Sequence, residues 1–125
     1  MLGFERHNMT GGIDPADGNL KPDQRVVFHR TDLDRILVVY GHLVANGHAR
    51  DYGISMLADR AVFSIFKHAA EHPTWRIEKI PALARKQGLW VVSGAGRTIL
   101  KRGAELEIVL KAFDAQRRKP AKRRS

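Results

Sequence analysis

The side chains in this sequence whose types and spacing suggest chemistry are mostly cationic, and they point to contact with phosphates rather than to bond-making. Trp75, Arg76 and Lys79 are followed by Arg85, Lys86 and Trp90, then by Arg97, Lys101 and Arg102. Cations bind phosphate oxygens and an indole can stack on a base, so this interleaving suits a nucleic-acid surface. Tryptophan is nevertheless usually buried. Trp75 aligns with Ile77 and reads as core, while Trp90, between Leu89 and Val91, serves recognition only if it faces solvent. The last nine residues add six cations, Arg117, Arg118, Lys119, Lys122, Arg123 and Arg124, with no acid and no apolar side chain larger than Ala or Pro. Such a run buries too little surface to offset its ordering entropy, which predicts a solvated arm that attracts polyanions.

Other constellations read more simply. His68 and His72 are four apart and would share a face as metal ligands only on a helix; His42 and His48 fit no ligand spacing. Surface histidines and no metal are the expectation. Ser93-Gly94-Ala95-Gly96-Arg97 resembles a phosphate loop in composition, but β-prone Thr98-Ile99-Leu100 follows where a helix is needed, so a hairpin turn is expected. Lys101-Arg102-Gly103 precedes a helix start, a natural anion position, yet Glu105 and Glu107 already supply negative charge there. No nucleophile elbow, paired-carboxylate motif or recognised nucleotide loop occurs, so an enzyme is disfavoured and no cofactor is implied. The absence of cysteine excludes disulfides and thiolate chemistry.

The charge is unevenly distributed. Residues 1–24 carry two cations and four acids, residues 25–114 fourteen cations and nine acids, and residues 115–125 six cations alone. A segment with an excess of five positive charges therefore stands beside its basic tail. Charge of this kind speaks to association with nucleic acid, an anionic surface or an acidic protein, and also to solubility. No stretch reaches the roughly 20 apolar residues of a membrane span. A cytoplasmic protein is the expectation.

These groups must be positioned by a small set of elements. Residues 1–24, rich in Gly and Pro, read as a flexible leader. Arg25–His29 is β-prone. Thr31 as N-cap with Asp34, and Leu33, Ile36, Leu37, Tyr40, Leu43 and Val44 on one face, predict a helix over 32–46 ended by Asn46-Gly47. Gly41 within it suggests close approach to a sheet. Tyr52, Ile54 and Met56 alternate as a strand. Ala61–His68 suits either a strand or a helix; the strand is preferred because Glu71-His72-Pro73 then turns the chain into Thr74–Ile80. Pro81 and Gly88 bracket a short helical turn, Leu89–Val92 and Arg97–Lys101 pair as strands, and Leu106, Val109, Leu110 and Phe113 form a second helical face that frays after Asp114. The order β-α-β-β-β-β-β-α predicts an α+β fold, a two-layer sandwich of a mostly antiparallel sheet with two amphipathic helices. The domain would span 25–114, followed by a disordered arm over 115–125.

The segments Arg50-Asp51-Tyr52, Asp59–Phe66, Trp75–Lys79, Leu83–Gly88 and Ile99–Gly103 together resemble a family of short alphaproteobacterial proteins classed as a domain of unknown function, over about residues 25–114. The resemblance implies a bacterial cytoplasmic setting and one compact domain, with no activity or site residue to carry over. The leading expectation is a non-enzymatic module that binds an anionic partner, foremost nucleic acid. Arg85, Lys86, Trp90, Arg97, Lys101 and Arg102 would form its surface, and the tail cations would add non-specific affinity. The alternatives are a protein-interaction or structural subunit that self-associates, and a small enzyme or metabolite binder.

Overall fold

The computed structural model describes residues 25–68, 72–85 and 88–122. The expected leader over 1–24, and the site candidates Lys86, Arg123 and Arg124, lie outside the described residues.

The first helix, α1 (Arg30–Ala45), starts two residues earlier than the periodicity indicated. Asp32, rather than Asp34, completes the N-terminal turn: its carboxylate accepts the His29 N–H at 3.0 Å, which makes His29 the cap and moves Thr31 inside the helix. At the other end Gly47, at φ 78°, takes the left-handed conformation. The Gly47 and His48 N–H groups then bond back to the Val44 and Leu43 carbonyls at 3.0 and 2.7 Å. Ile36, Val39 and Leu43 are the buried stripe, while Leu37 and Val44 are exposed. Gly41 has open space where a Cβ would stand, so the expected close approach to a sheet does not occur.

Five strands follow: β1 (Asp51–Met56), β2 (Ala61–Phe66), β3 (Trp75–Lys79), β4 (Trp90–Ser93) and β5 (Ile99–Gly103). Each pairs antiparallel with the next, giving the order β1-β2-β3-β4-β5. Ala61–Phe66 is thus a strand, with β-branched and aromatic residues in an inner position of the sheet. Arg25–His29 does not join the ladder. Its Val26 N–H donates to the Leu57 carbonyl at 2.8 Å, the Val27 carbonyl accepts Lys79 Nζ at 3.0 Å, and Phe28 stacks on Trp90. Side chains and one turn therefore satisfy a segment that a sixth strand would otherwise have occupied.

Between β3 and β4 lies a 3-10 turn, Pro81–Leu83. It leads to Gly88 at φ 94°, where a Cβ would stand 2.4 Å from the Gly103 carbonyl carbon. Only glycine fits there. After β5 the chain forms α2 (Leu106–Val109), a 3-10 stretch (Leu110–Phe113) and α3 (Asp114–Arg118). Leu106, Val109, Leu110 and Phe113 are all buried. The helical path thus runs on to Arg118 where fraying was expected after Asp114.

The helices cover one face of the sheet. Ile54, Phe63, Ile77 and Val92 are aligned across that face. With Ile36, Leu43, Val109 and Phe113 they form an apolar core. Trp75 meets Phe113 edge-to-face at 5.6 Å. The result is an α+β fold with the helices on one side of an antiparallel sheet. No helix among the described residues is long and apolar enough to cross a membrane.

Candidate functional site

Because side chains alternate across a strand, the residues between the core positions project to the face of the sheet away from the helices. Val62, Glu78, Val91 and Arg102 make one cross-strand row, and Ser64, Arg76 and Ser93 the next. The register shifts between Val92 and Ser93, so that Ser93 pairs with Ile99 while Val92 pairs with Lys101. This irregularity leaves Leu100 without a cross-strand partner and brings Ile99 to the outer face.

A cleft of about 200 Å³ opens on this face. Arg60, Arg76, Arg97 and Arg102 stand around it with Glu78, and Val91 and Ser93 are at its floor. Arg60 comes from the β1–β2 turn, closed by the Leu57 N–H to Arg60 carbonyl bond at 2.8 Å. Arg97 comes from the β4–β5 hairpin. There Gly96 (φ 68°) and Arg97 (φ 63°) both lie in the left-handed region, and the Gly94 N–H bonds to the Thr98 carbonyl at 2.8 Å. Arg97 is the one non-glycine residue with positive φ among those described. That conformation costs an L side chain of this kind about 1–2 kcal/mol.

The four guanidinium groups differ electrostatically. Arg60 bonds Glu78 at 2.9 Å and Asp59 at 3.3 Å. The hydrogen bond to Glu78 is the main reason that its pKa lies above the usual arginine value. Arg76 is shifted the other way: burial and, next, repulsion from Arg97 lower its pKa, with Glu78 opposing. Among the described residues no carboxylate lies within salt-bridge distance of Arg76, Arg97 or Arg102. With four guanidinium groups and the single carboxylate of Glu78 around it, the cleft is a hollow of net positive charge, suited to holding an anion.

Of the residues singled out from sequence, Arg97 and Arg102 line this cleft. Arg85 is exposed just after the Pro81–Leu83 turn. Lys101 lies opposite Val92 in a row of the helix-facing side. Trp90 is 3% exposed. It stacks on Phe28 at 6.0 Å and has Lys79 Nζ 5.8 Å from its ring centroid, so it offers no face to a base. Lys79 is itself held by the Val27 carbonyl and by Asp32 at 3.4 Å. His68 and His72 lie beyond the end of β2 and share no helix. Among the described residues no three potential ligands gather for a metal.

The described part of the C-terminal segment is on the other layer. Asn46 Nδ2 donates to the Gln116 and Arg117 carbonyls at 2.9 and 3.0 Å, and the Ala121 N–H donates to the Asn46 carbonyl at 2.7 Å. His48 Nε2 lies 2.7 Å from the Lys119 carbonyl, and Arg117 Nε donates to His42 Nδ1 at 2.9 Å. The end of α1 thus clasps α3 and the residues after it. Arg118, Lys119 and Lys122 remain exposed.

Arg76 belongs to the basic and aromatic run but not to the surface expected from it, and Arg60 has no place in that surface. The strand alternation of β3 carries the missing signal. If Trp75, Ile77 and Lys79 face the core, then Arg76 and Glu78 must face away.

The chain belongs to the family described as Protein of unknown function (DUF2794), whose model matches residues 26–110. That span contains all four cleft arginines and Glu78, and it stops before α3 and the tail. No curated protein and no solved structure matches the chain.

Proposed function

We propose that this chain is a non-enzymatic module that binds nucleic acid through the arginine cleft of its outer sheet face, in a bacterial cytoplasm. The observation that carries this is the gathering of Arg76, Arg97 and Arg102, without a carboxylate partner among the described residues, around one concave surface. Arginine forks suit phosphate oxygens better than the point charge of lysine does. Arg118, Lys119 and Lys122, on the other layer, add sequence-independent attraction at long range. The test is fluorescence anisotropy with short single strands and duplexes of DNA and RNA. Binding is expected at low salt, weakening steeply as salt rises. No binding to any of them at low salt overturns the proposal.

A second reading has its own observation. The two edge strands expose large apolar side chains, Tyr52 on β1 and Ile99 and Leu100 on β5, and unpaired edges invite strand addition. A protein-interaction or self-associating subunit would show as a higher mass by light scattering that persists in high salt. A monomer under those conditions excludes self-association.

A further inference from the structure

Charge, size and the choice of side chain in the cleft narrow what its occupant can be. Arg60 is already engaged by Glu78 and Asp59. This leaves three guanidinium groups, Arg76, Arg97 and Arg102, facing the same hollow. An internal phosphodiester brings one negative charge and two free oxygens, too few for three planar forks. A phosphate monoester brings about −1.5 to −2 charges at neutral pH and three terminal oxygens, each a strong acceptor. The volume of about 200 Å³ lies below the roughly 300–1,000 Å³ typical of small-molecule pockets. No aromatic side chain lines the cleft, so nothing there stacks a base. Every cation around it is arginine, the side chain that grips phosphate in a bidentate fashion. Ser93, in the same lining, brings a hydroxyl donor. We propose that this cleft is a phosphate-monoester site, which seats the terminal phosphate of a nucleic-acid strand in preference to its internal diesters.

The strand as the source of that phosphate rests on the proposed function; the monoester chemistry does not. Burial and, next, the nearness of Arg97 disfavour the charged form of Arg76, and a dianion bound between the two guanidinium groups would offset both. Glu78 acts as a positioning residue, fixing the fork of Arg60 at the rim.

The experiment compares, on the full chain, single strands of one sequence with a terminal phosphate or with hydroxyl groups at both ends, and adds inorganic phosphate and a mononucleotide as competitors. One additional charge-assisted contact predicts that the phosphorylated strand binds about tenfold tighter. Arg102→Lys keeps the charge but removes the fork. It should weaken the phosphorylated strand far more than the hydroxyl-ended one, cutting the preference to below about threefold, whereas a folding defect would weaken both strands alike. Equal affinity of the wild-type chain for the two strands overturns the inference and leaves the nucleic-acid reading intact. Binding of inorganic phosphate or mononucleotide with no binding of either strand supports the monoester site and removes the nucleic-acid reading. Binding of none of the four overturns both.

Discussion

The outer-face cleft and the C-terminal segment each carry four described cations: Arg60, Arg76, Arg97 and Arg102 in one, and Arg117, Arg118, Lys119 and Lys122 in the other. In the cleft, neighbouring strands and hairpins hold the guanidinium groups together, and Arg76 suffers for it through burial and repulsion. In the C-terminal segment, most of the interactions run through the backbone. Asn46, His48 and His42 fix the carbonyls of Gln116, Arg117 and Lys119 and the side chain of Arg117, while the remaining cations extend into solvent. Similar charge thus serves two ends. Converging cations define a place for one anionic group, whereas dispersed cations supply a field. Net charge alone, the most conspicuous property of the sequence, does not separate the two cases.

The contrast can be broken most directly by paired substitutions. Arg76→Ala with Arg97→Ala should weaken binding of a terminally phosphorylated strand about a hundredfold, since each charge-assisted contact contributes about 1.5 kcal/mol or more. Arg118→Ala with Lys122→Ala should cost less than about threefold, as dispersed surface charges do. Equal losses in an anisotropy titration would erase the distinction.

Next in size is the clasp. Asn46→Ala removes two side-chain hydrogen bonds to the chain at α3 and should lower stability by about 2 kcal/mol in urea unfolding, with the affinity for phosphate unchanged. A loss of affinity instead would show that the clasp and the cleft communicate. Glu78→Gln should destabilise the fold by about 1 kcal/mol, because its pair with Arg60 is only partly shielded. The same change should tighten phosphate binding a few-fold by removing the one carboxylate that lines the cleft; weaker binding would mean that holding Arg60 in place matters more than the added charge. The smallest effect is on salt dependence. Arg102→Ala should reduce the slope of log affinity against log salt by about 1, whereas Lys119→Ala, which acts through a screened field rather than a fixed contact, should reduce it by less than about half of that.

How far the sequence foretold these regions depended on how local their determinants are. The four apolar positions of the last helical stretch, Leu106, Val109, Leu110 and Phe113, are all buried as their spacing indicated. The buried face of α1 is narrower than its apolar spacing suggests. Val39 is buried and Leu37 and Val44 are not, because a helix lying on one layer of neighbours buries a narrow stripe. Trp90 carried no local sign of its orientation; the pairing of Lys79 with Trp90 turns it toward Phe28. The cleft was the least legible part. It draws Arg60, Arg76, Arg97 and Arg102 from a turn, two strands and a hairpin, and only the sheet register with its irregularity at Val92 and Ser93 brings them together. The reach of the helix past Asp114 depended on Asn46, a partner about seventy residues away, which no window along the chain contains.

The clasp also has a meaning in time. Each strand pairs with its successor, so on a ribosome the sheet can grow hairpin by hairpin as the chain emerges. The helix α1 emerges before any of it, and the partner that closes over its C-terminal turn arrives 70 residues later. At about 5–20 residues per second this is a delay of roughly 4–14 s, during which the Ile36, Val39 and Leu43 stripe lacks the Leu106–Phe113 side of its core. Nascent chains halted soon after Gly103 should therefore be cut by protease within α1, and those that have extruded Arg118 should resist.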